Sequence, residues 1–362
     1  MSKPEKITET FEKHGGFHSL EDPRVAKTRQ ANDDDNVVPL RQKYQIYDIP
    51  LEEHLERTGL DHLPQTQVIR DCLNHIKGDG LVEAYLRGSF SLGTADPLSD
   101  IDLFTVVEMD KVEDVHNRVL ELLNEKYPVI ATCADKVVAD YGGIGFVFIC
   151  EGPEGPFQLD VYMAMKGVAP RTHLFDCPRV FSGDPDYCWI EEKLRSDELP
   201  VRTERFMNKH MGHESKEDLM EFHLNDLLVI SFMSEKHLSR DQYARGLMDN
   251  NYAIEVVTEM LMTSRGEATI HSSLYACDSV IKQVSEGDDP ALASFATRLK
   301  ELLPVSPSRE KTAALLALGN DIYEHNMGQT PEHQTKMDRY FTAVESKYGN
   351  KDGNALGSDL KL

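Results

Sequence analysis

The stretch Leu86–Phe104 reads LRGSFSLGTADPLSDIDLF. It has the makings of a strand, a small-residue turn and a second strand carrying two carboxylates. Asp100 and Asp102 lie two apart, and on a strand such residues share a face. Ile101 and Leu103 then point the other way, into a core. Two carboxylates this close repel and raise each other's pKa. A divalent cation between them relieves the conflict, and hard oxygen ligands suit magnesium. Just upstream, Gly88-Ser89 offers backbone N–H groups and a hydroxyl at a tight turn, a sensible place to hold a phosphate. A phosphate cradle beside paired carboxylates points to metal-assisted phosphoryl or nucleotidyl transfer. The plain alternative is a surface hairpin with a chance Asp-x-Asp. The spacing from Gly-Ser and the hydrophobic flanks weigh against it.

These residues resemble the signature of the nucleotidyltransferase superfamily, which includes DNA polymerase beta and the antibiotic nucleotidyltransferases. That signature is a hydrophobic residue, Gly-Ser, a spacer, and Asp-x-Asp in a hydrophobic strand. The resemblance implies that Asp100 and Asp102 bind magnesium and that Gly88 and Ser89 touch the phosphates of ATP. It also implies a third carboxylate on a neighbouring strand. The run Phe157–Met165 supplies one. Phe157, Leu159, Val161 and Met163 share one face, while Gln158, Asp160 and Tyr162 share the other. Asp160 is thus an acid in an otherwise apolar strand, and it is the best match. Asp140 is second, because the Tyr141-Gly142-Gly143 after it reads as a turn. Antibiotic nucleotidyltransferases imply a general base at Asp160 and polymerases imply a metal ligand; both roles stay open.

The chain has 362 residues, 40% of them hydrophobic, enough for two domains with real cores. Asp plus Glu number 62 against 39 Lys plus Arg, a net charge of −23. A protein that grips a nucleic-acid backbone normally shows a basic surface, so nucleic acid is not an expected partner. An acidic surface favours cationic partners, although solubility accounts for much of it. The six cysteines form no C-x-x-C pair, and their spacings suit neither a disulfide framework nor zinc. The charged start MSKPEKITETFEKHGG does not read as a secretory signal, and no long apolar run reads as a membrane span. A reduced, cytoplasmic protein is expected.

Residues 1–44 are polar and read as a flexible N-terminal appendage. Helices are expected over 64–76, 112–126, 193–208, 216–237, 241–265, 291–303, 308–326 and 331–349. Several carry start signals: Ser215 and Ser308 as caps, and Thr330-Pro331 as cap plus first residue. Strands are expected over 81–86, 100–108, 143–150 and 157–165, with shorter pieces at 129–133, 136–138 and around Arg179-Val180-Phe181. Strands vanish after Glu191. The fold class is α+β: a mixed-sheet nucleotidyltransferase core at 45–190, a helical bundle at 191–349, and a flexible tail at 350–362. This plan resembles that of the aminoglycoside and lincosamide nucleotidyltransferases, whose site lies between the two parts.

The resemblance implies a magnesium-dependent enzyme that moves AMP from ATP to a hydroxyl of a small molecule, most like an aminoglycoside. A cationic acceptor would welcome the acids Glu214, Glu217, Asp218, Glu221 and Asp226, whose plain reading is a solvated helix face. Lys236 and His237 are candidates for the triphosphate, with a helix-dipole role as the plain reading. Arg87 reads as facing solvent. His14 and His18 make the one H-x-x-x-H, across a poor helix. Trp189 and Phe181 read as packing. Two other readings are a nucleotide polymerase or cyclic-nucleotide synthase, with which Gly93-Thr94 is compatible, and an antitoxin-type enzyme that modifies a protein. Antitoxin-type enzymes tend to be small single domains, which weighs against the last.

Overall fold

Where apolar residues alternate most regularly the chain forms strands, and where they recur every three to four residues it forms helices. The computed structural model describes residues 47–135, 143–167, 177–184, 199–211, 215–267, 273–303 and 306–349. The predicted appendage and tail, Asp140, Trp189, Glu214, His14 and His18 lie outside these residues. So does the strand predicted over 136–138.

The first part runs β1 (Tyr47–Asp48), α1 (Leu51–Thr58), α2 (Pro64–Ile76), β2 (Leu81–Leu86), α3 (Gly88–Leu92), β3 (Ile101–Val107) and α4 (Val112–Lys126). Then come β4 (Val129–Asp135), β5 (Gly143–Cys150), β6 (Phe157–Met165) and β7 (Pro178–Ser182). The sheet order is β1-β7-β2-β3-β6-β5-β4. β3 and β6 pair in parallel, β1 and β7 likewise, and the other neighbours are antiparallel. α2 and α4 cover one face. Val68, Ile69, Leu73, Val115, Val119 and Leu123 share a core there with Ile101, Leu103, Leu159 and Val161.

The helical part follows: α5 (Val201–His210), α6 (Lys216–Leu238), α7 (Tyr243–Ser264), α8 (Ser273–Ser285), α9 (Pro290–Leu302), α10 (Arg309–Met327) and α11 (Pro331–Tyr348). The fold is α+β, a mixed sheet followed by a helical region. The expected caps form: Ser215, Ser308 and Thr330 each accept from the backbone N–H three residues on. α8 is not among the sequence expectations, although Ala276, Cys277, Val280, Ile281 and Val284 carry its helical spacing.

α6 organises the bundle and joins it to the sheet. It is buried nearly all round from Met220 to His237, and its polar side chains Asp226, Ser234, Glu235, Lys236 and His237 are buried with its apolar ones. Leu224, Leu228 and Phe232 lie in one core with Cys133, Val147 and Ile149 of the sheet. Residues opposed across strands share a face. Cys133 pairs with Val147, and Val147 with Asp160, so α6 covers the same face that carries Asp160. A buried knot of Ser234, Asn250 and Thr312 hydroxyl and amide groups, at 2.9–3.1 Å, ties α6 to α7 and α10. Among the described residues no helix is long and apolar enough to cross a membrane.

Candidate active site

The loop 94–99 is folded by its own side chains and delivers Asp100 to the edge of β3. Asp96 Oδ1 accepts from the Leu98 N–H at 2.8 Å, and Ser99 Oγ accepts from the Asp96 N–H at 2.9 Å, a turn typical of Asp before Pro. Gln65 of α2 donates to the Asp96 and Ser99 carbonyls, and Arg240 pairs with Asp96. Ile101 and Leu103 are fully buried in the core under the sheet. Asp102 therefore projects from the opposite face.

In the parallel ladder Asp102 stands opposite Asp160. The Arg87 N–H donates to the Asp102 carbonyl at 3.0 Å. Gly88 follows with φ +58°, a left-handed conformation that favours glycine. A Cβ there would run into Asp102 Oδ2. Gly88 is thus fixed twice over, by its backbone and by the carboxylate. What the sequence reads as a plain turn is one turn of helix, α3. It is pinned by buried His54, whose Nε2 meets the Phe90 carbonyl at 2.9 Å. Ser89 Oγ is buried with no hydrogen-bond partner. Buried polar groups are normally satisfied, so an orphan asks for a ligand.

The three carboxylates differ in their surroundings. Asp160 is 5% exposed. Gln158 Nε2 donates to both its oxygens at 2.9 and 3.1 Å, and the Tyr162 hydroxyl donates to Oδ2 at 3.2 Å. Burial, then the charges of Asp102 and Asp100, push Asp160 well above the ordinary carboxyl range. Burial and the Asp100 charge push Asp102 up to about 6. Burial would raise Asp100 too, but the Lys236 ammonium outweighs it and holds that carboxyl below its usual value.

Lys236 is the main residue whose place the sequence does not reveal. It sits in the last turn of α6, 2% exposed, and its Nζ meets Asp100 Oδ2 and Gln158 Oε1, each at 2.9 Å. A chain of contacts therefore runs from Asp100 through Lys236 and Gln158 to Asp160. Glu235, Lys236 and His237 follow one another at the end of α6 and all three are buried, so each needs a partner. Glu235 has Arg309 at 2.5 Å and His237 has Asp249 at 2.7 Å. His237 is thus a tie between α6 and α7. Arg87 does not simply face solvent either; its guanidinium lies 5.2 Å over the Tyr162 ring.

Other candidates fall elsewhere. Glu221 is engaged by Lys336, Tyr323 and Asn225, and Asp226 by Tyr252. Arg179 pairs with Asp48 and Glu83, and Phe181 packs beside it against the core. Among the described residues no three His, Cys, Asp or Glu side chains converge in metal-holding geometry. The reason is local: Lys236 takes Asp100, while Gln158 and Tyr162 take Asp160. The Asp102 carboxylate, which accepts no hydrogen bond among the described residues, Asp100 and orphaned Ser89 Oγ are nevertheless a hard-oxygen set that suits a divalent cation with a phosphate.

Comparison with known families agrees with this geometry. Residues 67–141 match the family model of the nucleotidyltransferase domain. The match spans α2 to the end of β4 and includes Gly88, Ser89, Asp100 and Asp102, but stops short of Asp160. It supports the nucleotidyltransferase superfamily, and with it an enzyme that transfers nucleotidyl groups. A search of the curated proteins finds no match for the chain.

Proposed function

We propose that the protein moves AMP from ATP onto a hydroxyl of a small molecule, with magnesium as cofactor and an aminoglycoside-like antibiotic as acceptor. The carrying observation is the row of Asp102 and Asp160 on adjacent parallel strands, beside the Gly88-Ser89 turn with its orphaned hydroxyl. The acceptor class rests on less. The net charge of −23 favours a cation, and the resemblance to antibiotic nucleotidyltransferases points the same way. The acids predicted to greet it add little, since Glu221 and Asp226 already have partners within the bundle.

Asp100 and Asp102 would hold magnesium, which when bound neutralises charge on the α-phosphoryl group and on the leaving pyrophosphate. Ser89 Oγ and the backbone N–H groups of α3 bind phosphate oxygens. Lys236 keeps Asp100 ionised and in place. The acceptor oxygen bonds to the α-phosphorus as the bond to the β-phosphate oxygen breaks. Pyrophosphate carries that bonding pair away, and the hydroxyl proton passes to a carboxylate of the site, with Asp160 as the candidate. The sheet and its first helices supply the nucleotide chemistry, and the bundle beyond residue 191 supplies the acceptor's side.

Incubation with magnesium, ATP and a panel of aminoglycosides and lincosamides, read by mass spectrometry, tests the reading. An acceptor heavier by one AMP is expected. A panel with no adduct overturns the antibiotic as acceptor. Oligomeric or cyclic products from nucleotides alone would move the reading to a nucleotide polymerase or cyclic-nucleotide synthase.

A further inference from the structure

Among the described residues, Arg87 is a charged group of the site whose side chain makes no ion pair and no hydrogen bond. It follows β2, whose Leu86 stands opposite Leu103 of β3, and its own N–H bonds the Asp102 carbonyl. Opposed residues share a face, so Arg87, Asp102 and Asp160 form one row across three strands. Its guanidinium leans along that face to stack on Tyr162. The Tyr162 hydroxyl in turn bonds Asp160. The ring holds the guanidinium in place without using its N–H groups.

Those N–H groups are unspent. Among the described residues the guanidinium forms no ion pair and no hydrogen bond, although it is partly buried. Elsewhere in the protein Arg70, Arg179, Arg202 and Arg240 each give theirs to carboxylates. A rigid five-donor fork held in a site, and not paired with the acid next to it, is shaped for an anion from outside. Ser89 Oγ, buried and orphaned two residues on, is a second unspent group on the other side of Gly88. Both flank the turn at which the carboxylates begin.

We propose that Arg87 binds the α-phosphoryl group of the nucleoside triphosphate, the group that is transferred, and that Tyr162 positions it there by stacking. The assignment rests on the nucleotidyl-transfer reading. It places the fork at the α-phosphoryl group because that group must lie against Asp102, and Arg87 is the cation in Asp102's own row. Lys236 acts instead through Asp100, to which its Nζ bonds. Charge that grows on the α-phosphoryl oxygens as the acceptor attacks would meet a preorganised donor.

Binding without turnover tests this. Affinities of a non-hydrolysable ATP analogue, AMP and adenosine are measured by calorimetry with magnesium, for the wild type and R87M. R87M should weaken the analogue and AMP by about 10- to 100-fold, as expected for charge-assisted hydrogen bonds, and leave adenosine unchanged. Y162L should weaken both less, and Y162F, which keeps the stack, should bind as the wild type does. R87K, which keeps the charge and loses the fork, should fall between wild type and R87M and serves if R87M folds poorly. Equal affinities in wild type and R87M overturn the assignment while the transfer reading stands. A loss for the analogue but not for AMP overturns the α-phosphoryl position, and an equal loss for adenosine overturns the phosphate contact. A wild type that binds none of the three overturns the transfer reading and this assignment together.

Discussion

Two groups of acids occupy the same sheet and are treated in opposite ways. On the β7 side Glu83 is wholly buried, yet both its oxygens are served: Arg179 pairs with one and the Tyr85 hydroxyl donates to the other at 2.5 Å. Arg179 then runs on to Asp48 and stitches β7 to β2 and β1. Burial still lifts Glu83 above its usual value, against Arg179. On the β6 side three carboxylates lie near enough to feel one another's charge, served by one ammonium, a carboxamide and a phenol, with the Arg87 guanidinium over the Tyr162 ring. Among the described residues the Asp102 carboxylate has no hydrogen-bond donor. The first group is closed, and it holds strands together. The second is short of positive charge and of donors, and that deficit is what a metal and a phosphate would fill.

The sharpest way to break this contrast is to remove the acid that lacks a partner. Asp102→Asn should lower nucleotidyl transfer by about a thousandfold or more, the scale of several kcal/mol that a site metal supplies. It should not harm the fold. Removing the partner in the closed group should do the reverse. Arg179→Met leaves Glu83 buried with the Tyr85 hydroxyl alone, and breaking a buried pair costs about 3–5 kcal/mol. Chemical denaturation should show that loss, while activity per folded molecule stays within a few-fold of wild type. If Asp102→Asn destabilised the protein and Arg179→Met did not, the two groups would have been assigned the wrong way round.

pH sharpens the same point on the ligand-free protein. Asp102 has a folded value of about 6 against an ordinary 3.8. Its contribution to stability is fully present below the ordinary value and is lost as pH rises through about 6. Above that, its charge costs the fold on the order of 2–3 kcal/mol. The melting temperature of Asp102→Asn should therefore exceed that of the wild type most at pH 7, and the gap should close towards pH 4. Magnesium with ATP should narrow it at pH 7 by supplying the missing charge. A gap that does not change with pH would mean that Asp102 is not strained.

Much of this arrangement is legible in the sequence, and the part that is not has a common cause. β2, β5, β6 and α4 follow from local periodicity, and Asp102 and Asp160 follow from alternation along single strands. That the two acids stand opposite each other depends on the β3–β6 register, set by chain folding over more than fifty residues. Lys236 and Arg87 are hidden for a related reason. A lysine in the last turn of a helix complements the helix dipole wherever it points. Only the packing of α6 across the sheet shows that this one is buried on Asp100. Arg87 can be placed on a face from the strand before it, but its lean onto Tyr162 crosses β3. α8 was local, and its spacing was there to be seen.

Gln158 offers the smallest and most discriminating test. It is 2% exposed, with its carbonyl on Lys236 and its amide on Asp160. Among the described residues its side chain hydrogen-bonds neither Asp100 nor Asp102. Gln158→Leu should therefore leave Lys236 on Asp100 and release Asp160 alone. Partners that orient a site's acids are worth about 10- to 100-fold when lost, and a fall near the lower end is expected because Tyr162 still holds one oxygen. Steady-state kinetics with magnesium and nucleotide varied separately would then divide the two roles of Asp160. A lower kcat with unchanged magnesium dependence places Asp160 on the acceptor's proton. A matching rise in the magnesium needed places it among the metal's ligands. An unchanged rate would break the contrast drawn above, because the carboxamide bridge would then be packing, as closed and as inert as Glu83 with Arg179.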